Sequence, residues 1–438
     1  MNDRKQENAL AVGVTKQNES YVSDFRYAVQ ISVYLLKPIG AWPLANNETS
    51  KLKIILHTVS MAMGTFLMFF FTVVPWIIQI WKEKLGVVLI IRTLCPLLFT
   101  ITISVRYGLL LWHQERIRSC VDHVADDWRC VIIAEDRDIM LANARVGRTF
   151  GIISVVFMYG CGTLYYALPI VTLNLVNENN VTVRLHPSPC EFLMFDSKAS
   201  PAYEIVYSIQ LVTGYAAYSA FCGICSLMAN FVTHVCGQCD ILTAIFEETV
   251  DGGERNSGST EERLTTAITK HLRLLRLASD VSRLFTEICL VEFVNASCNI
   301  CLVGYYIITD MNDNGSFIQI SMYFFGLASI VFNVFIYCYI GDLLKECCQQ
   351  VDIACYAIDW YRMPPKKAIE LLMPIAMSRY PVTLTAGKMM PMTLTTFSDR
   401  LELIRVKYCV PAEIPMNWNK IYVSGKYLKS LISVLNLY

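Results

Sequence analysis

The chain has 438 residues, of which 54% are hydrophobic and only 17% are charged, and its mean hydropathy is +0.42. This composition is too apolar for an ordinary soluble enzyme, so we expect a lipid bilayer to surround much of the chain. The 37 basic and 37 acidic residues balance, which argues against nucleic acid or another polyanion as a partner.

Six apolar stretches follow a polar N-terminal segment, residues 1–53, for which the pattern predicts no cleavable signal peptide. A helix that crosses a bilayer needs about 20 mostly apolar residues, and these stretches are long enough. They lack the alternation of barrel strands. The predicted fold class is therefore all-α, a multi-pass transmembrane helical bundle over residues 54–341, with spans at about 54–80, 86–112, 149–175, 205–232, 288–309 and 317–341.

The distribution of Lys and Arg predicts the orientation of these spans. The N-terminal segment, the second and fourth loops and the segment after the sixth span are rich in both residues, whereas the remaining loops hold few. Because basic residues stay preferentially on the cytoplasmic side, we expect a cytosolic N-terminus. The glycosylation sequons at Asn180 and Asn314 would then lie outside the cell.

The loop between the fourth and fifth spans is predicted to be largely helical. Residues 241–246 and 264–284 carry apolar side chains at helical spacing, and a polar stretch, residues 251–260, separates them. We therefore expect both helices to continue well beyond the membrane. No internal repeat of the kind common in secondary transporters is visible in the sequence.

Two ionisable residues inside predicted spans stand out, because a buried charge there is costly unless it lines a cavity or has a partner. Arg92 lies about two turns into the second span from its outer end, and Glu292 lies near the inner end of the fifth. Arg92 is thus a candidate ligand anchor, and Glu292 is a candidate contact to a vestibule or a partner. The alternative, which we favour for both, is that each side chain extends to the nearest interface.

Aromatic side chains are numerous in the predicted outer halves of the spans, where a cavity open to the outside would lie. A small volatile ligand has few polar groups, so shape and dispersion contacts with such rings would dominate its recognition. Helix packing or an interfacial aromatic belt is the alternative explanation for each ring. The candidate ligand-binding residues, besides Arg92, are Tyr165, Tyr166, Tyr207, Tyr215, Tyr323 and Phe324.

The cysteines and the sequence motifs indicate no enzymatic chemistry. Most of the 17 cysteines lie in apolar segments, and the CxxC pairs that begin at Cys222, Cys236 and Cys298 lack a second ligand pair of matching spacing. We therefore expect no metal site and no cofactor. The chain contains no phosphate-binding glycine loop, HExxH or GxSxG motif, so we expect no catalytic residues and no enzyme.

Two regions of the chain resemble the insect odorant receptor family, whose members are seven-transmembrane proteins of inverted topology. The first region is residues 36–43 (LKPIGAWP), just before the first span. The second is longer and more specific to the family. It contains residues 336–342 (IYCYIGD), 357–362 (AIDWYR), 384–388 (LTAGK) and 392–398 (MTLTTFS).

The resemblance implies a function that composition alone does not. Family members form heteromeric, odour-gated, non-selective cation channels with a shared co-receptor subunit, as tetramers in the plasma membrane of olfactory sensory neurons. Each subunit binds a small volatile odorant in its outer half and contacts membrane lipid. Residues 342–398 then form a cytosolic anchor (347–377, with a helix break at Pro364 and Pro365) and the start of a last, pore-lining helix. A G-protein-coupled receptor and a secondary transporter are the alternatives.

The C-terminal tail departs from the family pattern. The last helix should begin within residues 389–397 and continue as an apolar run of about 20 residues. Charged residues and prolines follow instead, so residues 399–438 form a divergent tail with its switch at Ser398 or Asp399, and the seventh span is predicted to be defective. An alternative or unspliced terminal exon, or a gene-model error, would explain the tail. With this tail, we expect no odour-evoked current.

Overall fold

The structure, a computed structural model, describes residues 18–44, 50–82, 87–172, 186–187, 200–255, 257–312, 317–378 and 381–399. Within these residues the backbone is almost entirely helical, in agreement with the predicted all-α class. Helices form where the sequence has long apolar stretches, because in lipid a helix satisfies every backbone donor and acceptor internally.

The helices have the following bounds. In chain order they are α1 (Tyr21–Leu36), α2 (Lys51–Thr65), α3 (Val74–Lys82), α4 (Val87–Trp112), α5 (Gln114–Cys130), α6 (Ala134–Thr172), α7 (Ala202–Asp251), α8 (Thr260–Asn312), α9 (Phe317–Ala357), α10 (Pro365–Ala368) and α11 (Leu372–Ser378). A π-helical segment, Phe66–Val73, joins α2 to α3, and 3-10 turns occur at Trp360–Arg362 and Ile369–Leu371. Two short antiparallel strands follow, β1 (Thr385–Ala386) and β2 (Met390–Pro391).

Six helical segments of the described chain are long and apolar enough to cross a membrane. This finding confirms the predicted class, a multi-pass helical bundle with six spans. The residues that would continue a seventh span, 400–438, lie outside the described residues. The six segments are Lys51–Ile78, Leu94–Trp112, Ala134–Ala167, Ala202–Asp251, Thr260–Ile307 and Tyr323–Ala357.

Helix α7 forms the centre of the bundle. The most apolar part of this helix is completely buried, whereas the corresponding part of each other span is at most 44% buried. A helix that is apolar on all sides needs other protein segments on all sides, and α7 packs against α1, α4, α6, α8 and α9. Displacement of α7 would therefore disturb the packing of most of the bundle.

The fourth predicted loop is helical on both sides of its polar stretch, as predicted. Helix α7 ends at Asp251, where Gly252 adopts a positive φ of 81°, and α8 begins at Thr260. The guanidinium group of Arg263 donates a hydrogen bond of 2.9 Å to the carbonyl oxygen of Thr249 in the last turn of α7. A cation placed there also complements the negative end of the helix dipole. Gly252 and Arg263 therefore define where α7 ends.

The N-terminal segment contains a helix, α1, that packs on α6 and α7, although the sequence indicated only a polar region there. Ser32 donates a hydrogen bond of 3.0 Å to Ser226 and accepts one of 3.0 Å from Asn230, so small polar residues join α1 to α7 inside the core. Arg137 of α6 donates hydrogen bonds of 2.7 and 3.0 Å to Asp24. These hydrogen bonds lower the pKa of the Asp24 carboxyl group below its usual value.

The helix break predicted at Pro364 and Pro365 is wrong in position. Helix α9 already ends at Ala357, and Pro365 begins the short helix α10. The first residue of a helix has no intrahelical use for its backbone N–H, so proline is tolerated there and presets the helical φ. The two prolines therefore start a helix instead of interrupting one.

The last described helical turn, residues 394–399, begins where the resemblance predicts the start of the final helix. The backbone N–H of Leu394 donates a hydrogen bond of 2.9 Å to the carboxylate of Asp342, and the N–H of Thr396 donates one of 3.2 Å to the hydroxyl group of Thr393. Both interactions satisfy N–H groups that a helix start leaves without an internal partner. Asp342 of α9 thus fixes the position of this helix start.

Gly341, next to Asp342, allows this close approach. A Cβ atom at this position would overlap the carbonyl oxygen of Met392, which is backbone and cannot move aside as a flexible side chain could. Residues 341 and 342 together form what we call the helix seat, since they receive the backbone just before the last helical turn. Both belong to the segment on which the family resemblance rests most strongly.

Candidate functional site

The two ends of the bundle differ in chemistry. We call one end the basic end; it contains α5, the first part of α6, the last part of α7, the first part of α8 and the residues after Gly341, and it holds many Lys and Arg residues. The end formed by the last part of α6, the first part of α7, the last part of α8 and the first part of α9 is called the opposite end.

Tyrosine rings from α6 and α7 meet at the opposite end. The ring centroid of Tyr166 lies 5.4 Å from that of Tyr165 and 6.4 Å from those of Tyr215 and Tyr218. The hydroxyl group of Tyr207 donates a hydrogen bond of 2.5 Å to the backbone carbonyl of Tyr166. We call this group the tyrosine cluster; its members are Tyr159, Tyr165, Tyr166, Tyr207, Tyr215 and Tyr218.

Two glycines let α6 and α7 approach each other at the tyrosine cluster. Tyr166 of α6 lies against Gly214 of α7, and Tyr218 of α7 lies against Gly162 of α6. A Cβ atom at either glycine would overlap the facing ring, so the arrangement is reciprocal and close. The positions of the two buried rings therefore depend directly on the separation of α6 and α7.

The structure brings together some of the sequence-predicted ligand residues and separates others. Tyr165, Tyr166, Tyr207 and Tyr215 belong to the tyrosine cluster. Tyr323 of α9 instead packs on Tyr306 of α8, with ring centroids 5.6 Å apart, and Phe324 is 38% exposed on α9. Arg92 is part of α4, but its side chain lies outside what the structure describes, as do both sequon residues, Asn180 and Asn314.

A buried ion pair joins α4 and α8 inside the bundle. Nη1 of Arg106 lies 2.5 Å from Oε2 of Glu292, and these residues are only 1% and 3% exposed. From α9, the hydroxyl group of Tyr337 accepts a hydrogen bond from Arg106, and Asn333 donates one to the Glu292 carboxylate. From α7, the ring of Phe221 lies 4.7 Å from the guanidinium carbon of Arg106. Four spans therefore meet at this pair.

Arg106 is not among the residues predicted from the sequence, although it forms half of this pair. The prediction that Glu292 extends to the interface is wrong, because its carboxylate is buried and paired. A signal was present: Arg106 and Glu292 both lie near the predicted inner ends of their spans and have opposite charges. Two opposite charges at matching depth in different spans favour a pair over independent contact with water.

The structure also supplies partners for one of the CxxC pairs. Cys236 and Cys239 of α7 lie next to Cys347 and Cys348 of α9 at the basic end, and all four side chains are buried. The spacing rule applied to the sequence could not find this group, because the second pair is adjacent in sequence and belongs to a distant helix. We call the four residues the cysteine cluster.

Comparisons with curated proteins point to one family. Residues 86–404 match the family described as "7tm Odorant receptor". The chain is 26% identical over 239 residues to odorant receptor 82a of Drosophila melanogaster, and 23% identical over 207 residues to odorant receptor 10 of Aedes albopictus. These regions cover 53% and 47% of this chain, and 60% and 54% of the two relatives. The chain thus matches little more than half the length of these proteins.

Solved structures share the fold of this chain. The insect olfactory receptor OR5 from Machilis hrabei superposes with a TM-score of 0.72 at 13% identity, covering 90% of this chain and 100% of that chain. The same receptor in complex with eugenol gives a TM-score of 0.75 at 11% identity, covering 90% and 99%. The family consists of receptors rather than enzymes, which confirms the expectation drawn from the motifs. Because the family match covers well over half of the chain, this protein belongs to the 7tm odorant receptor family.

Proposed function

We propose that the protein binds a small, mostly apolar odorant at the tyrosine cluster. Four aromatic residues predicted as ligand contacts converge there from two helices, which is the main support for this site. Phenol rings offer large apolar faces for dispersion contacts, and their hydroxyl groups can orient a polar group of the ligand. The eugenol complex of a receptor with the same fold supports an odorant of this size as the kind of ligand.

Within the cluster, we propose that Tyr215 provides the polar contact to the ligand. Its hydroxyl group lies 3.1 Å from that of Thr163, which itself donates a hydrogen bond of 2.7 Å to the backbone carbonyl of Tyr159. Tyr215 therefore donates to Thr163, and its oxygen can still accept a hydrogen bond from a ligand. The hydroxyl groups of Tyr165 and Tyr207 donate shorter hydrogen bonds, of 2.6 and 2.5 Å, to the backbone carbonyls of Pro187 and Tyr166. These two tyrosines would contact the ligand through their ring faces. We also propose Arg92, Tyr323 and Phe324 as ligand contacts, because the sequence places them in the predicted outer parts of their spans.

We further propose that the basic end faces the cytosol and that the tyrosine cluster opens toward the outside of the cell. The concentration of Lys and Arg at the basic end supports this orientation. In this orientation Asn180 and Asn314 are exposed to the glycosylation machinery. An N-terminal tag should react with antibody only after permeabilisation of the cells. Labelling of intact cells would contradict the orientation.

The family relationship leads us to propose that the chain is one subunit of an odour-gated cation channel in the plasma membrane of olfactory sensory neurons, formed with a shared co-receptor. We propose residues 342–398 as the cytosolic anchor and the start of the last helix. Residues 399–438 would not complete that helix, because their charges and prolines exclude a continuous apolar span. Ligand binding and ion conduction are therefore separable in this chain.

Binding is tested on the purified full chain in lipid nanodiscs, with a panel of volatile odorants and the shift in melting temperature as the readout. We expect an odorant that stabilises the wild type to lose most of its effect in Tyr215→Ala and Tyr207→Ala, because each removes a ring face. Tyr215→Phe should weaken only odorants with a polar group. Tyr356→Phe, which changes a 74% exposed tyrosine at the basic end, is the matched control.

Conduction is tested separately in cells that also express the co-receptor. We expect no odour-evoked current from the unaltered chain, and a current when residues 399–438 are replaced by the corresponding C-terminal segment of odorant receptor 82a. A current from the unaltered chain would contradict the proposal about the tail. Odorant stabilisation that is unchanged in the tyrosine variants would contradict the proposed site, and it would leave the family assignment untouched.

A further inference from the structure

Three sulfur atoms of the cysteine cluster lie close enough together to share a metal ion, and the fourth lies beside one of them. The Sγ atoms of Cys239, Cys347 and Cys348 all lie within 4.8 Å of one another, and Sγ of Cys236 lies 2.9 Å from Sγ of Cys347. Cys236 and Cys239 are three residues apart on α7, so they point to the same side of that helix. The four thiols thus come from two helices and converge on one place.

This place is closed to solvent and lies outside the predicted spans. The four cysteines are between 1% and 6% exposed, and they lie beyond residues 232 and 341, the predicted inner ends of the fourth and sixth spans. The thiols of Cys236 and Cys347 also contact the backbone carbonyls of Leu343 and Leu344. No His or carboxylate ligand is needed, because four sulfur atoms complete a tetrahedral set.

The separations of three of the sulfur atoms fit a tetrahedral thiolate centre, and a side-chain rotation of Cys236 would supply the fourth ligand. With zinc–sulfur bonds of about 2.3 Å, the sulfur atoms of a four-thiolate centre lie about 3.8 Å apart. The close pair, Cys236 and Cys347, must separate slightly, and the group of three already lies within reach. Thiolates select soft cations over Mg²⁺ or Ca²⁺. The spacing of the sulfur atoms and the chemistry of the thiolates are therefore both consistent with a zinc site.

We propose that Cys236, Cys239, Cys347 and Cys348 bind one Zn²⁺ ion that joins α7 to α9 at the basic end. Each thiol that becomes a ligand releases its proton to the solvent, so binding needs no oxidant. A disulfide between Cys236 and Cys347 would need one, and it is disfavoured if the basic end faces the reducing cytosol as proposed above. A single disulfide would also involve only two of the four buried thiols.

The position of this site suggests what the metal ion does. Cys347 and Cys348 follow the helix seat, residues 341 and 342, on the same helix α9. A metal ion that holds this part of α9 to the central helix α7 would restrain the helix seat and, with it, the start of the last helix. Removal of the ion should loosen that region without altering the tyrosine cluster at the other end of α7.

The first test measures the metal content of the purified full chain by inductively coupled plasma mass spectrometry. We expect about one zinc ion per chain in the wild type, and at least about tenfold less in Cys236→Ser/Cys239→Ser and in Cys347→Ser/Cys348→Ser. The control is Cys298→Ser/Cys301→Ser, which removes a CxxC pair on α8 that is exposed and half-buried. The control should retain its zinc.

The second test uses the wild type alone, so it does not depend on how well the variants fold. Stripped of metal by a chelator and titrated with Co²⁺, the protein should develop the thiolate-to-cobalt absorbance of a tetrahedral sulfur site at one equivalent, and Zn²⁺ should abolish it. Absence of both zinc and the cobalt band would overturn the proposal. Equal loss of zinc in the control, or a Cys236–Cys347 disulfide in the freshly purified chain, would do so as well. Neither test involves an odorant, so the outcome is independent of the proposed function.

Discussion

Replacing Glu292 by Gln should destabilise the protein more than replacing Arg106 by Met, because the two partners of the buried pair respond differently to isolation. Without the carboxylate, Arg106 keeps its charge inside the bundle, since arginine does not lose its proton in proteins. The hydroxyl group of Tyr337 and the ring of Phe221 still contact it, but neither carries a compensating charge. Without Arg106, Glu292 still accepts the hydrogen bond from Asn333, and a carboxyl group, unlike a guanidinium group, has a neutral form that an apolar site tolerates.

The burial of both partners determines how much folding stability each substitution removes. Removing one partner of a buried ion pair costs about 3–5 kcal/mol, and Arg106 and Glu292 are 1% and 3% exposed, so Glu292→Gln should fall in this range. Arg106→Met should cost less, about 3 kcal/mol at the low end of that range, because a carboxyl group has a neutral form and a guanidinium group does not. The double variant removes both charges together and should be more stable than Glu292→Gln alone.

The assay is the melting temperature of each purified variant in the same detergent, followed by fluorescence-detected size-exclusion chromatography. Glu287→Gln is the matched control, because Glu287 lies on the same helix, is 56% exposed and pairs with His113 at 3.2 Å. Because the Glu287 carboxylate is exposed to solvent, its contact with the buried His113 contributes at most about 1 kcal/mol. Equal destabilisation by the two single substitutions, or a double variant as unstable as their sum, would refute the reasoning.

Two further predictions concern the ends of the described chain. Gly341→Ala should displace the backbone at Met392 and lower the melting temperature, whereas Gly326→Ala on the same helix, where a Cβ meets nothing within 4 Å, should not; equal behaviour of the two would contradict the helix seat. Asp24→Asn should be less stable than the wild type at pH 7, because Arg137 lowers the pKa of Asp24 and the folded protein therefore gains stability above the unfolded pKa of about 3.9. The two melting temperatures should converge as the pH falls below that value and through the lower folded pKa, and a constant difference would contradict the assignment.

The spans and the long helical extensions could be predicted from the sequence because they depend on local pattern. Apolar stretches of sufficient length identify spans, and the polar stretch 251–260 marked the turn between α7 and α8 almost to the residue. The end of α9 could not be predicted in this way. It lies at Ala357, ahead of the prolines that seemed the obvious stop, and the family motif there carries no local helix-ending signal such as glycine.

The clusters inside the bundle depend on which helices are neighbours, and that information is not local. Tyr166 and Tyr215 could be grouped because they lie at similar predicted depth in consecutive spans, whose helices commonly pack together. Tyr323 was placed with them by depth alone, yet α9 sets it against Tyr306 of α8. The pair of Arg106 with Glu292 joins non-consecutive spans, so depth and charge could suggest it but only the packing reveals it.

Helix α7 runs without interruption through 50 residues, which corresponds to about 75 Å at 1.5 Å per residue. Tyr207 and Tyr215 lie near one end, and Cys236 and Cys239 lie toward the other. Each residue of a helix turns its side chain by about 100° relative to the one before, so a single inserted or deleted residue between the two groups would rotate one away from its partners while the other stayed in place. We therefore expect insertions and deletions between the two groups to be rarer among related chains than in any loop.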